Sequence, residues 1–155
     1  MKNTFRFGLS FIILCLLSSA SIAQSSDTDK INQFISRQAA EERGEEYEEA
    51  RKVVKGDLNR DGVSDLALLY TIEGQDGTNN YVQYLAVFIR VKGRLDHVTE
   101  TVVGGKSYRA VELQSIRNNV IFFNVLKDGT NDVANRGGKR RVTRFVLVKR
   151  KLKEI

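Results

Sequence analysis

The sequence predicts an α+β protein in which one N-terminal amphipathic helix packs on an antiparallel β meander of about seven or eight strands. Apolar residues recur at spacings of three and four between residues 26 and 44, and short runs rich in β-branched and aromatic residues follow from residue 50 onward. Hydrophobic residues make up 41% of the 155 residues and charged residues 28%, which is the composition of a chain that folds around a core. The length, and the absence of proline-rich or low-complexity linkers, favour one domain over residues 24–155.

Residues 1–23 have the pattern of a signal peptide. Lys2 and Arg6 form a basic start, an apolar run covers residues 9–17, and Ser21 and Ala23 are small residues at the two restricted positions before a cleavage site. The apolar run is shorter than the roughly 20 residues that span a bilayer, so we expect no stable membrane span after cleavage. The sequence therefore predicts cleavage after Ala23 and export to the periplasm or to the outside of the cell.

The residues that could carry catalysis are few. Cys15, the one cysteine, lies inside the predicted signal peptide, so the exported chain would have no disulfide, no thiol nucleophile and no thiolate metal site. His97 is the only histidine, and its place in a predicted strand favours a structural imidazole over a base or a ligand. No Gly-x-Ser-x-Gly segment supports a nucleophile. We therefore expect no enzyme, and a hydrolase that uses His97 and a carboxylate is the least favoured alternative.

The predicted helix begins near Ser26, which is a suitable N-cap with an acidic residue three positions later. Its apolar positions lie on one face, and Gly44 is a plausible C-cap after Arg43. The apolar positions are Ile31, Phe34, Ile35 and Ala39. The acidic cluster Glu45, Glu46, Glu48 and Glu49 then reads as a solvated connection to the sheet.

Eight strands are predicted after the helix, separated by segments with glycine, asparagine and aspartate. One of them, Tyr81–Val91, is apolar on both of its faces, which is typical of a central strand covered on both sides. We expect the helix to cover one of those faces. The predicted strands are Ala50–Lys55, Asp65–Thr71, Tyr81–Val91, His97–Val103, Tyr108–Ile116, Val120–Leu126, Val142–Lys149 and Leu152–Ile155.

The one specific motif is the segment Asp57-Leu58-Asn59-Arg60-Asp61-Gly62-Val63-Ser64-Asp65. Oxygen-bearing side chains stand at positions 1, 3, 5 and 9, and glycine at position 6 allows a sharp turn, which is the spacing that wraps a chain around Ca²⁺. We predict Asp57, Asn59, Asp61 and Asp65 as side-chain ligands and Val63 as a carbonyl ligand. The alternative is a turn rich in Asp and Asn that binds no metal, although its three carboxylates would then repel one another.

Position 12 of this loop is Leu68, where an EF-hand has glutamate, and strands are predicted on both sides. The segment Gly56–Tyr70 instead resembles the calcium loop of FG-GAP and VCBS repeats, which occur in integrin-type β-propellers and in many bacterial secreted proteins. Only one copy is present, so a propeller of several blades is excluded. The resemblance implies a β-rich module stabilised by Ca²⁺, like the small exported bacterial proteins with a single such loop.

A basic segment with no acidic residue runs from Arg136 to Lys153. It could hold an anionic envelope polymer or an acidic protein, and nucleic acid is not expected for an exported chain. The alternative is that these cations shield an edge hairpin from aggregation. Gly137 and Gly138 would let the segment adapt to a partner. The candidate partner-binding residues are Arg136, Lys139, Arg140, Arg141 and Arg144.

These observations lead to a functional hypothesis with one main alternative. The chain is expected to be an exported, non-enzymatic calcium-binding module with structural Ca²⁺ and a protein- or polymer-binding role in the bacterial envelope. The alternative is an inhibitor or immunity-like protein that binds a secreted hydrolase through a charged face.

Overall fold

The structure, a computed structural model, describes residues 19–128 and 141–155, with side chains from 27 to 125 and from 141 to 155. Within these residues the chain forms one α-helix, two short 3-10 turns (Glu48–Ala50 and Gln75–Gly77) and nine strands. The α-helix is α1 (Ser19–Glu41), and the strands are β1 (Glu45–Glu46), β2 (Lys52–Gly56), β3 (Asp65–Glu73), β4 (Tyr81–Val91), β5 (Arg94–Gly105), β6 (Arg109–Arg117), β7 (Val120–Asp128), β8 (Arg141–Val148) and β9 (Lys151–Glu154).

Each of the eight predicted strands has a counterpart, and consecutive strands are antiparallel neighbours, but the strands are divided between two sheets. The strands form two antiparallel sheets. Sheet I has the order β1-β3-β4-β5, with β2 pairing beside β1 along the same edge of β3, and sheet II has the order β6-β7-β8-β9. The break falls at the short connection between Gly105 and Arg109. It exists because sheet I has two apolar faces and the helix can cover only one of them.

Sheet I is the middle layer of three. One of its faces carries Leu66, Leu68, Tyr70 and Phe88, which pack against the apolar face of α1. The residues between them point the other way and meet sheet II. This second core consists of Leu58, Ala67, Leu69, Leu85, Val87, Ile89, Val103, Val111, Leu113, Ile121, Phe123 and Phe145. The two-faced apolar pattern of Tyr81–Val91 is therefore explained by a strand that lies between the helix and the second sheet.

Both predicted ends of the helix differ from the structure. The helix is continuous through Ser26, which is therefore not its N-cap, because no proline or glycine interrupts residues 19–25. It begins at Ser19 and crosses the predicted cleavage position after Ala23, while residues 1–18 of the predicted signal peptide lie outside the described residues.

At the other end, Arg43 (φ 51°) takes the left-handed position that was expected for Gly44. The Gly44 amide donates to the Ala39 carbonyl (3.0 Å) and the Arg43 amide donates to the Ala40 carbonyl (3.2 Å), which is a Schellman motif. Gly44 is required for a different reason, since a Cβ there would lie 2.6 Å from the Glu73 carbonyl oxygen.

Two polar side chains hold the sheets together at the ends of β4 and β6. The buried Gln83 side chain accepts a hydrogen bond from the Val111 amide (3.0 Å) and donates to the Val111 carbonyl (3.3 Å). Arg109 donates to the Val103 carbonyl of sheet I (2.7 Å) and to both carboxylate oxygens of Glu154 in β9 (2.6 and 2.9 Å). Because Arg109 bonds to both sheets, it closes this end of the sandwich.

Candidate functional site

The predicted metal loop connects β2 to β3 at the opposite end of the sandwich. The chain reverses through two residues with positive φ, Arg60 (68°) and Gly62 (79°). These turns direct backbone amides toward the partly buried Asp57 side chain, whose Oδ1 accepts from the Arg60 amide (2.6 Å) and whose Oδ2 accepts from the Gly62 amide (3.0 Å). Asp57 thus organises the first half of the loop.

Asn59 and Asp61 continue the same pattern on the exposed side. Asn59 Oδ1 accepts from the Asp61 amide (3.0 Å), and Asp61 Oδ1 accepts from the Val63 amide (2.7 Å). The Asn59 side-chain amide also donates to Asp61 Oδ2 (2.8 Å), so these two side chains are in contact. Each of these oxygens has a second lone pair beyond the one used here. Oxygen donors with two carboxylates among them have the chemistry that a hard cation requires.

Asp65 differs from the other three predicted ligands because it is fully buried. Its Oδ2 accepts from the Leu58 amide (2.8 Å), and its Oδ1 accepts from the Arg90 amide in β4 (2.9 Å). Within the described ranges, no three His, Cys, Asp or Glu side chains are grouped so that they could hold a metal ion. The structure therefore brings Asp57, Asn59 and Asp61 together on one turn and uses both oxygens of Asp65 on the backbone. The ligand role of Asp65 stays a prediction that these contacts do not support.

The loop is attached to sheet II through Asn119, which lies in the turn between β6 and β7. Asn119 Nδ2 donates to the Asp57 carbonyl (2.8 Å), and Asn119 Oδ1 accepts from Arg60 Nε (2.9 Å). The Arg60 side chain, the one cation inside the motif, therefore bonds to a neighbouring turn. Sequence reasoning missed Asn119 because it is about sixty positions away and no local pattern marks it.

The loop is also attached to the helix, through Arg90. Arg90 Nε donates to the Ser64 carbonyl (3.2 Å), and its guanidinium forms a bidentate pair with Asp27 of α1 (2.6 and 3.1 Å). The hydrogen bond with Asp27 raises the pKa of Arg90 against the opposing effect of burial. The side chains of Arg90 and Asp27 are 17% and 12% exposed, so the pair is largely shielded from water. Sequence reasoning missed both residues as part of this site.

A cleft of about 710 Å³ lies beside the metal loop and is lined by residues of both sheets. Its apolar wall includes Leu58 and Ile89 from the core between the sheets, with Val98 and Leu147 packed against that core. Polar residues of the loop, of two hairpin turns and of β5 also line the cleft: Asn59 and Arg60, Asn118, Asn119, Lys149 and Arg150, and Asp96. Two of these residues, Asn59 and Arg60, belong to the metal loop as well.

His97 lies on the other face of sheet I, against the helix. Its ring is 4.5 Å from the Phe34 ring and 5.4 Å from the Phe88 ring between centroids. Burial lowers the pKa of His97, with the Glu100 carboxylate opposing this effect, and Nε2 is buried without a hydrogen-bond partner among the described residues. The His97 ring therefore packs among aromatic side chains of the helix and of β4, and its structural role stays a prediction.

Only two of the five basic residues proposed for partner binding lie among the described residues. Arg136, Lys139 and Arg140 lie outside the described residues. Arg141 and Arg144 are exposed on β8, and because they are three positions apart in a strand they point to opposite faces of sheet II. Arg144 belongs to the outer face, where Val142 is 54% exposed and Val148 48% exposed.

Comparisons of the chain with protein-family models, with curated proteins and with solved structures each return no match. Among the described residues, no helix has both the length and the apolar character needed to cross a membrane.

Proposed function

We propose that this chain is an exported, non-enzymatic binding module whose Ca²⁺ loop stabilises the junction between the two sheets and the helix. The observation that carries the proposal is the turn on which Asp57, Asn59 and Asp61 present their side-chain oxygens. Asp57, Asn59, Asp61 and the Val63 carbonyl would hold the ion, and water would complete its shell. The bound ion would offset the repulsion between the carboxylates of Asp57 and Asp61.

Asp65 has a distinct part in this proposal. Because both of its oxygens accept backbone amides, it holds the start of β3 against Leu58 and Arg90. We assign it to anchoring the loop rather than to the ion itself. This assignment predicts different behaviour for Asp65 and for Asp61, which a variant of each can separate.

The test is thermal unfolding with and without Ca²⁺. At ten times its dissociation constant the ion adds about 1.4 kcal/mol to the free energy of unfolding, which raises the melting temperature by about 3–6 °C in a domain of this size. Asp57→Asn combined with Asp61→Asn should abolish this rise. Asp76→Asn, which changes an exposed carboxylate in another turn, should keep it. Equal melting of the wild-type protein in chelator and in millimolar Ca²⁺ would refute the metal assignment.

Export is tested separately. Mass spectrometry of the protein recovered from the periplasm or the medium should find a chain that begins at Gln24. The apolar face of α1 begins at Ile31, so the contacts between helix and sheet remain after that cleavage. A chain that keeps its first 23 residues and stays in the cytoplasm would contradict the proposal.

The binding part of the proposal uses the basic residues of sheet II. Arg117 lies 4.6 Å above the Phe122 ring, and Arg144 lies on the face of β8 that also carries the exposed Val142 and Val148. Arginine and aromatic residues are enriched in protein interfaces, and this surface also favours the second candidate, an inhibitor or immunity-like protein for a secreted hydrolase. An anionic polysaccharide and an acidic protein would both bind such a surface more weakly at high salt.

The polymer role is tested with heparin as the probe. Reversal of Arg140 and Arg141 to Glu should shorten retention on a heparin column, and the matched reversal of Lys52 and Lys55 on β2 should shorten it less. A pull-down from an envelope fraction, with the same two variants and with or without chelator, tests the protein role. Retention and capture that are indifferent to Arg140→Glu with Arg141→Glu, and to salt, would refute the assignment of binding to this segment.

A further inference from the structure

The cleft beside the metal loop has the construction of a small-ligand site. Its volume of about 710 Å³ lies in the range of pockets that bind small molecules. The deep wall is apolar, with Leu58 and Ile89 almost fully buried, and the lining contributed by the turns is polar. Such a division between an apolar interior and a polar mouth suits a ligand that has an apolar body and one polar end.

The charged residues that line the cleft indicate which charge the polar end of the ligand carries. Arg60, Lys149 and Arg150 line the cleft together with a single acidic residue, Asp96. Arg60 bonds to the neutral Asn119, and within the described chain neither Lys149 nor Arg150 has a hydrogen bond or an ion pair at its side chain. Three cations and one carboxylate therefore line the cleft, and this positive excess favours an anionic group.

The backbone conformation of Lys149 and Arg150 is a second observation that points to a ligand site here. Lys149 (φ 48°) and Arg150 (φ 63°) form the two-residue turn between β8 and β9, where both positions are left-handed. Asparagine and glycine tolerate this conformation best, and the neighbouring turn between β6 and β7 uses Asn118 and Asn119 in it. Lysine and arginine strain the same turn, and strained residues cluster at ligand sites.

We propose that this cleft binds a single-chain fatty acid, with the acyl chain between the two sheets and the carboxylate beside Lys149 and Arg150. The site is separate from the proposed Ca²⁺ binding, because Lys149 and Arg150 and the apolar wall do not depend on the ion. It lies next to the metal loop through Asn59 and Arg60. The proposal can therefore be tested in chelator, where failure of the Ca²⁺ assignment would not affect the outcome.

The probe is dodecanoate, titrated below its critical micelle concentration in chelator and followed by calorimetry and by methyl NMR. Resonances of Ile89, Val98 and Leu147 should shift. Lys149→Glu combined with Arg150→Glu should weaken binding at least about tenfold, because two attractions become repulsions. The matched control is Lys151→Glu with Lys153→Glu, which makes the same change in charge on exposed positions of β9 and should alter affinity less than about twofold.

Dodecyltrimethylammonium supplies the opposite charge on the same chain and should bind at least about tenfold more weakly than dodecanoate. Val98→Trp, which fills the apolar wall, should abolish binding while the circular dichroism spectrum stays that of the wild type. Equal binding of the two probes would overturn the proposal, as would wild-type affinity in the Lys149 and Arg150 variant. NMR shifts confined to the helix or to the outer face of sheet II would overturn it as well.

Discussion

The carboxylate of Asp65 accepts a hydrogen bond from the backbone amide of Arg90, with 2.9 Å between Asp65 Oδ1 and the Arg90 nitrogen. The Arg90 side chain in turn bonds to the Ser64 carbonyl next to Asp65 and to Asp27 in the helix. Asp65 and Arg90 thus join the metal loop, β4 of sheet I and α1. The stability of the loop depends on contacts that lie far away in the sequence.

Asp65→Asn should lower the free energy of unfolding by about 2 kcal/mol, with or without Ca²⁺. The Leu58 and Arg90 amides both donate to the Asp65 carboxylate. An asparagine side chain has one NH₂ group in place of a carboxylate oxygen, so one of these two amides would face another donor and lose its hydrogen bond. Urea denaturation at neutral pH measures the change. Asp76→Asn in an exposed turn is the control and should stay within about 0.5 kcal/mol of the wild-type protein. A loss of Ca²⁺ response in Asp65→Asn, without loss of stability in chelator, would show that Asp65 is a ligand rather than an anchor.

Asp27→Ala should lower the free energy of unfolding by about 2 kcal/mol, because it leaves the largely shielded Arg90 guanidinium without its carboxylate partner. Arg90→Ala should cost more than that, since it also removes the hydrogen bonds to Ser64 and Gly93. A double-mutant cycle with both changes should give a coupling energy of about 1–3 kcal/mol. Asp29→Ala, at an exposed position of the same helix, is the control. Independent effects of the two substitutions would contradict this account of the pair.

The stability of the protein should fall as the pH drops below about 6.5, and His97 should account for part of the fall. Burial lowers the pKa of His97 in the folded state, so the unfolded chain binds the proton more readily. The stabilisation is complete above the unfolded pKa and decreases as the pH falls through it toward the folded pKa. The Glu100 carboxylate favours the charged imidazole, whereas Arg37 and Arg150 oppose it.

Melting temperatures between pH 5 and pH 8 test this prediction in the wild-type protein and in His97→Phe. Phenylalanine keeps an aromatic ring against Phe34 and Phe88 but does not titrate. The variant should lose less stability on acidification, and the difference between the two curves isolates His97 from the carboxylates. Parallel curves would show that His97 has the same pKa in the folded and unfolded states.

Gly56→Ala should destabilise the protein by about 1–3 kcal/mol, because the added Cβ would lie 2.7 Å from Cβ and Cγ2 of Ile116. This close approach is where β2 of sheet I touches β6 of sheet II. Chemical denaturation measures the loss, and Lys55→Ala at the adjacent exposed position serves as the control. Wild-type stability in Gly56→Ala would mean that the two sheets can separate here without cost.

Local sequence determined the strands, their turns and the internal hydrogen bonds of the metal loop. Strand Tyr81–Val91 has the predicted bounds, and Asp57, Asn59 and Asp61 fold their own turn through bonds that reach only two to five residues along the chain. Such features depend on neighbours in sequence, so composition and spacing are enough to predict them.

Only the tertiary structure decided which surfaces meet. The two apolar faces of Tyr81–Val91 indicated that another layer packs on each side of this strand. Only the structure shows that sheet II, strands β6 to β9, is the layer opposite the helix. It also decided that Asp65 accepts the amide of Arg90, that Asn119 holds Asp57, and that a cleft opens between the sheets beside Lys149 and Arg150. These contacts join residues that are far apart in the chain, and their free energy comes from surfaces that exist only after both sheets have formed, so no local pattern specifies them.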